Sequence, residues 1–189
     1  MTSRFSRLSL ILAAALAGTV PLSAADLQAA TPQTQTPAAL QAADLSFVLH
    51  AAEGGQAEVA LGKLASEKAT DDNVKQFGDM MAKDHSMANK ELAGIASAKG
   101  TTPPNEPGST AVAIEQTLAA LAADGFDREY MAQQVGDHVV TLALFRNCAE
   151  SCIDPEIKAF AQKSVPMIEG HLKEAQNLLS KAKQQASAQ

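Results

Sequence analysis

Three of the four histidines in this chain fall where a helical period calls for apolar core residues: His85, His138 and His171. Each belongs to a different helical stretch, and a fourth stretch carries an acid, Glu58, on its own stripe. Imidazoles and a carboxylate aimed into one core from four helices form a transition-metal donor set, suited to iron, zinc or copper. The competing reading is a set of separate polar groups, each satisfied by a neighbour, that fix helix register without a metal. Asp84 and Asp137 each precede one of these histidines, so either is a candidate ligand or the acceptor that orients an imidazole. Asp84 also reads as an exposed helix acid paired with Lys83 or Lys90. Glu53 lies off the Glu58 stripe but level with His85. Tyr130 reads as a core aromatic whose hydroxyl bonds to a neighbour. Met81 and Met167 lie one turn before His85 and His171, and Met131 two turns before His138. Thioethers at that spacing fill a core or, beside imidazole, suit Cu(I). Cys148 and Cys152, spaced C-x₃-C, read as an intrachain disulfide formed in an oxidising compartment. His50 is off the stripes and reads as surface.

The elements that would position these groups are legible as periodic runs. The first begins at Asp44, read as its cap, and continues to about Ala69 with Phe47, Ala51, Gly54, Glu58, Leu61 and Ala65 on one stripe. Its Gly54-Gly55 pair costs helix propensity and suggests close approach of another backbone. Thr70-Asp71-Asp72-Asn73 caps a second helix carrying Val74, Phe77, Met81, His85 and Leu92, which ends at Lys99-Gly100. A proline-rich crossover follows (TTPPNEPG, 101–108), then a short helix from Ser109 to about Ala122. Asp124-Gly125 reads as a break, with Phe126-Asp127 as a staple and cap for the third long helix. Asp154-Pro155-Glu156 opens the fourth, which Pro166 should kink. Two short connections and one long one make an all-α, ferritin-like four-helix bundle with a crossover holding an extra helix. Counted from turns near residues 69 and 152, Glu58 and His85 differ in height by about 7 Å, and His138 and His171 by about 6 Å. That leaves open a split into two smaller polar clusters.

Residues 1–25 read as a secretory leader: Arg4 and Arg7, the apolar run Leu8 to Val20, then Ser23-Ala24-Ala25 before cleavage. Its removal takes the net charge from −6 to −8. Residues 26–43, rich in Ala, Gln, Thr and Pro, read as a disordered linker to a bundle domain over 44–185. These features imply a periplasmic or outer-membrane-associated protein with no transmembrane span after cleavage. The acidic balance argues against nucleic acid as a partner, and leaves a cell-envelope protein as the candidate. No G-x-S-x-G, Walker or H-E-x-x-H motif is present, so nothing supports a hydrolase, kinase or dehydrogenase.

Three ordered blocks carry a family resemblance: GGQAEVALGKLASEKATDDNVKQFGDMMAKDHSMANKEL (54–92), GFDREYMAQQVGDHVVTLALF (125–145) and DPEIKAFAQKSVPMIEGHLKEAQ (154–176). Over nearly all of 44–180 the chain resembles the DUF4142 family of exported bacterial proteins, often described as outer-membrane proteins. The resemblance implies a ferritin-like bundle and little about activity. The family pattern maps onto Glu58, Asp84-His85 with Asn89, Phe126-Asp127 with Tyr130, Asp137-His138, and Pro166 with His171. Ala82 and Ile168 stand where a di-iron Glu-x-x-His motif would need glutamates, which argues against a ferroxidase centre.

Overall fold

The computed structural model describes residues 39–187. The leader, and the linker as far as residue 38, lie outside the described residues. Five helices follow in order: α1 (Ala42–Lys68), α2 (Asp72–Ala98), α3 (Ser109–Ala120), α4 (Ala123–Ser151) and α5 (Pro155–Ser187), and no strand occurs among the described residues. Helix α1 pairs with α2 and α4 with α5, while α1–α4 and α2–α5 contacts close the ring. Helix α3 lies over α1 and α4. This is the four-helix bundle with a long crossover that the periodicity predicts.

Most helix ends follow the local chemistry. Asp71 caps α2 by accepting from Asn73 N at 2.7 Å. At the far end Gly100 adopts φ 73°, Thr101 N reaches Ala96 O at 2.9 Å and Gly100 N reaches Ser97 O at 3.0 Å, satisfying the last carbonyls. Asp154 accepts from Glu156 N and Ile157 N at 3.0 and 3.1 Å to start α5. Helix α5 then runs through Pro166 without ending.

Two expected caps act elsewhere. Helix α1 starts at Ala42, with Gln41 at its cap position, so Asp44 lies inside the first turn. Its buried carboxylate crosses to the α4–α5 turn, accepting from Ile153 N at 3.0 Å and Asp154 N at 2.7 Å. Similarly, α4 begins at Ala123, and the chain breaks at Leu121-Ala122, not at Asp124-Gly125. Asp127 therefore does not cap α4. It accepts from Thr70 N (3.0 Å), Thr70 Oγ1 (2.6 Å) and Asp71 N (2.8 Å) in the α1–α2 turn. Each hairpin thus holds the other's turn by an aspartate near the start of its first helix.

A close backbone approach is found, but away from the expected glycine pair. A Cβ at Gly62 would stand 2.6 Å from Gly78 O, and one at Gly78 the same distance from Gly62 O. So α1 and α2 touch at Gly62–Gly78, where only hydrogen fits. A Cβ on Gly54 would meet nothing within 4 Å, and one on Gly55 would strike the Asn89 side chain.

The core is two apolar clusters, one around Phe47, Phe145, Phe160 and the Cys148–Cys152 corner, the other around Phe77, Met81, Phe126, Tyr130 and Leu178. Every long helix passes from one cluster to the other. At that boundary α1 carries Glu58, α2 His85, α4 Gln134 and His138, and α5 His171, all buried. A polar layer therefore crosses the middle of the bundle.

Candidate metal centre

The three histidines converge. Their ring centroids form a nearly equilateral triangle, with sides of 5.5 Å (His85–His171), 5.6 Å (His138–His171) and 5.8 Å (His85–His138). One nitrogen of each ring lies within 4.8 Å of one from each of the others. The expected offset in height does not separate His138 from His171, because side chains lean along the helix axis, whereas Glu58 is left outside the trio.

Hydrogen bonds select the free nitrogen of two rings. His138 Nδ1 stands 2.9 Å from the Gln134 carbonyl oxygen, which can only accept, so Nδ1 carries the proton. His171 Nε2 stands 3.1 Å from Asp84 Oδ2 and donates to it. What remains is His138 Nε2 and His171 Nδ1, each with its lone pair exposed to the core. Both atoms, and His85 Nε2, are buried without a hydrogen-bond partner. A carboxylate or carbonyl behind an imidazole raises its basicity and fixes its orientation, the usual support of a metal-bound histidine.

The three rings are 6 %, 1 % and 4 % exposed (His85, His138, His171), which decides their charge state. Burial, reinforced by mutual repulsion among the rings, pushes His85 down to about 3. Burial and His171 push His138 down to about 4, against its bond to Gln134. Burial also lowers His171, with Asp84 opposing. At neutral pH all three are uncharged and offer lone pairs.

Glu58 stands behind His138 and outside the trio. Its Oε1 lies 3.6 Å from His138 Nδ1, the protonated nitrogen, and its Oε2 accepts from Gln134 Nε2 at 2.8 Å. Burial raises its carboxyl to about 8, with Asp137 adding and the Gln134 bond opposing. Asp84 supports an imidazole, but that of His171 on α5 and not its chain neighbour His85. Asp137 instead accepts from Gln133 Nε2 at 2.8 Å, and burial raises its carboxyl. Glu53 and Asp137 line a cleft between α1, α3 and α4 that reaches Glu58. The Tyr130 hydroxyl is buried and has no partner, contrary to the expected bond. Burial and the nearby Glu58 raise its pKa well above the ordinary phenol value. Met81 and Met131 are core filler in the second cluster, and Met167 packs at the edge of the first. His50 is exposed and bonds within its own helix, its Nδ1 2.7 Å from Ser46 O. Cys148 and Cys152 are joined by a 2.02 Å bond at the end of α4. Sequence reading missed Gln134, although its place one turn before His138 put it on the same stripe.

The family model described as a domain of unknown function, DUF4142, matches residues 29–178. The chain belongs to the DUF4142 family. Its blocks around Glu58, Asp84-His85, Asp137-His138 and His171 contribute the polar layer of this DUF4142 bundle. Among solved structures it is similar to a crystal structure of a DUF305 fragment from Deinococcus radiodurans, with a TM-score of 0.66 at 16 % identity, over 76 % of this chain and 99 % of that one. At that identity the likeness is one of fold. No curated protein matches the DUF4142 chain. No described helix is long and apolar enough to cross a membrane.

Proposed function

We propose that this protein binds one transition-metal ion through His85, His138 and His171 and acts as an exported metal-binding bundle in the periplasm or at the outer membrane. The observation that carries the reading is the convergence of three buried histidines, with one nitrogen of each ring within 4.8 Å of the others', in rings that each keep a buried nitrogen without a hydrogen-bond partner. Leaving such groups unsatisfied costs about 1–3 kcal/mol each, and one cation would satisfy all three. Nitrogens 2.0–2.1 Å from a tetrahedral ion stand about 3.4 Å apart, so modest side-chain rotation closes a spacing of up to 4.8 Å. Zinc, iron and copper all accept imidazole, and the site has no carboxylate pair of the di-iron kind. The Gln134 carbonyl and the Asp84 carboxylate would hold the outer nitrogens of His138 and His171. The leader at residues 1–25 and the disulfide support export.

The competing reading is a structural or envelope-partner module whose polar layer sets helix register, favoured by the Glu58–Gln134 and Asp84–His171 bonds. Thermal unfolding with added Zn²⁺, Fe²⁺ or Cu⁺ separates the two. Metal at a hundred times its Kd should stabilise the fold by about 2.7 kcal/mol, and a His85→Ala/His138→Ala variant should lose that gain. An unchanged melting temperature with all three metals would favour the module.

A further inference from the structure

The three histidines come from α2, α4 and α5, which leaves α1 as the side of the core without a ligand. The pseudo-symmetry of the two hairpins shows what stands there. Asp127 and Asp44 play matching roles, each near the start of its helix and each holding the opposite turn. His138 follows Asp127 by eleven residues, and Gly55 follows Asp44 by eleven. Helix α1 carries no histidine at that count: it has Gly54 and Gly55 there, one turn before Glu58.

A pocket occupies that side. It has a volume of about 40 Å³ and is walled by Gly54 and Gly55, Glu58, His85, Asn89 and Ser164, with an apolar floor that includes Phe160 and Met167. The volume exceeds what one ordered water needs, about 10–15 Å³ on the same measure, and falls well short of a sugar or nucleotide site. Gly54 and Gly55 leave it clear, and the Asn89 side chain lies directly over the Gly55 backbone. Asn89 Nδ2 is a buried donor with no partner, one turn from His85, whose Nε2 is also unpartnered. The pocket thus brings one of the three histidines, His85, together with an uncommitted hydrogen-bond donor, while His138 and His171 stand outside its walls.

We infer that this pocket is the binding site for a small exogenous anion of two or three atoms, which completes the coordination of the metal from the α1 side and accepts a hydrogen bond from Asn89. The inference rests on the metal reading above. It goes further in making the centre an open one, with three protein ligands and a place for an outside molecule, where a storage or structural site would be closed. Ser164 is committed to the Phe160 carbonyl at 2.8 Å, whereas Asn89 Nδ2, also on the pocket wall, is buried and has no partner.

The test uses the full-length protein loaded with Co²⁺, whose visible bands report coordination, and sodium azide as the probe. Azide should shift the bands of the wild-type protein in a saturable way. In Gly54→Phe, which adds a ring at an exposed residue of the pocket wall where a Cβ meets nothing within 4 Å, azide affinity should fall at least tenfold while one Co²⁺ per chain is retained. Asn89→Leu, which keeps the volume and removes the donor, should weaken azide similarly and provides a second readout where Gly54→Phe folds poorly. One bound Co²⁺ with bands indifferent to azide, or azide bound equally well by wild type and both variants, would overturn the inference and leave the metal reading standing. Failure of the wild type to take up Co²⁺ would overturn both.

Discussion

At the scale of the residue, the side chains of the polar layer titrate against one another, and the metal-free protein should show it. An unfolded histidine takes its proton near pH 6.5, whereas folded His138 and His85 resist until about 4 and 3. Stability therefore falls as pH drops below 6.5, by up to about 1.4 kcal/mol per unit for each group. Glu58 works in the other direction. Its carboxyl ionises near 4.5 when unfolded and near 8 when folded, so it removes stability as pH rises between those values. Between 4.5 and 6.5 the histidines outweigh the single acid, so urea unfolding of metal-free protein should show maximal stability near pH 6.5. In Glu58→Gln the decline from 6.5 to 8 should vanish, and its persistence would contradict the assignment. Asp84→Ala, which leaves the outer nitrogen of His171 unsupported, should weaken metal affinity by about 10–100-fold in a competition titration. The trio itself was legible in the sequence, because a histidine on an apolar stripe has nowhere to point but inward. The pairing of Asp84 with His171 was not, since a bond between α2 and α5 depends on how the hairpins dock.

At the scale of the element, the glycines separate propensity from packing. Gly62→Ala places a Cβ against Gly78 O and should cost about 1–3 kcal/mol, because backbone cannot give way as a flexible side chain can. Gly54→Ala meets nothing and should stabilise helix α1 by up to about 1 kcal/mol. Equal effects in thermal melts would argue against the Gly62–Gly78 contact. The sequence pointed to the doublet because a pair of glycines is conspicuous, while Gly62 and Gly78 stand singly and sixteen residues apart. Asp44 and Asp127 were misread for a related reason. An acid at the head of an apolar run is what a helix cap looks like, and only the docked hairpin shows that the carboxylate serves a different turn. Asp127→Ala should cost about 2 kcal/mol by orphaning donors of the α1–α2 turn. The α2 and α5 starts, by contrast, read correctly, because Asp71 and Asp154 each bond to amides two or three residues away.

At the scale of the whole molecule, two hairpins lock by reciprocal aspartates, and two apolar clusters sandwich a polar layer at mid-height. The architecture was legible because long amphipathic runs and short connections leave few alternatives. The pocket beside α1 was not, because an absent side chain acquires meaning only once the other helices surround it. The disulfide closes too short a loop to determine the fold, so Cys148→Ala/Cys152→Ala should keep the helical spectrum and lower unfolding free energy by about 2 kcal/mol. The account as a whole stands on the convergence of three imidazoles upon one ion. X-ray absorption of the metal-loaded protein measures that shell directly. Three imidazole nitrogens at about 2.0–2.1 Å are predicted, with the imidazole signal reduced by His85→Ala. A first shell of oxygen alone, or one unchanged in that variant, would contradict it.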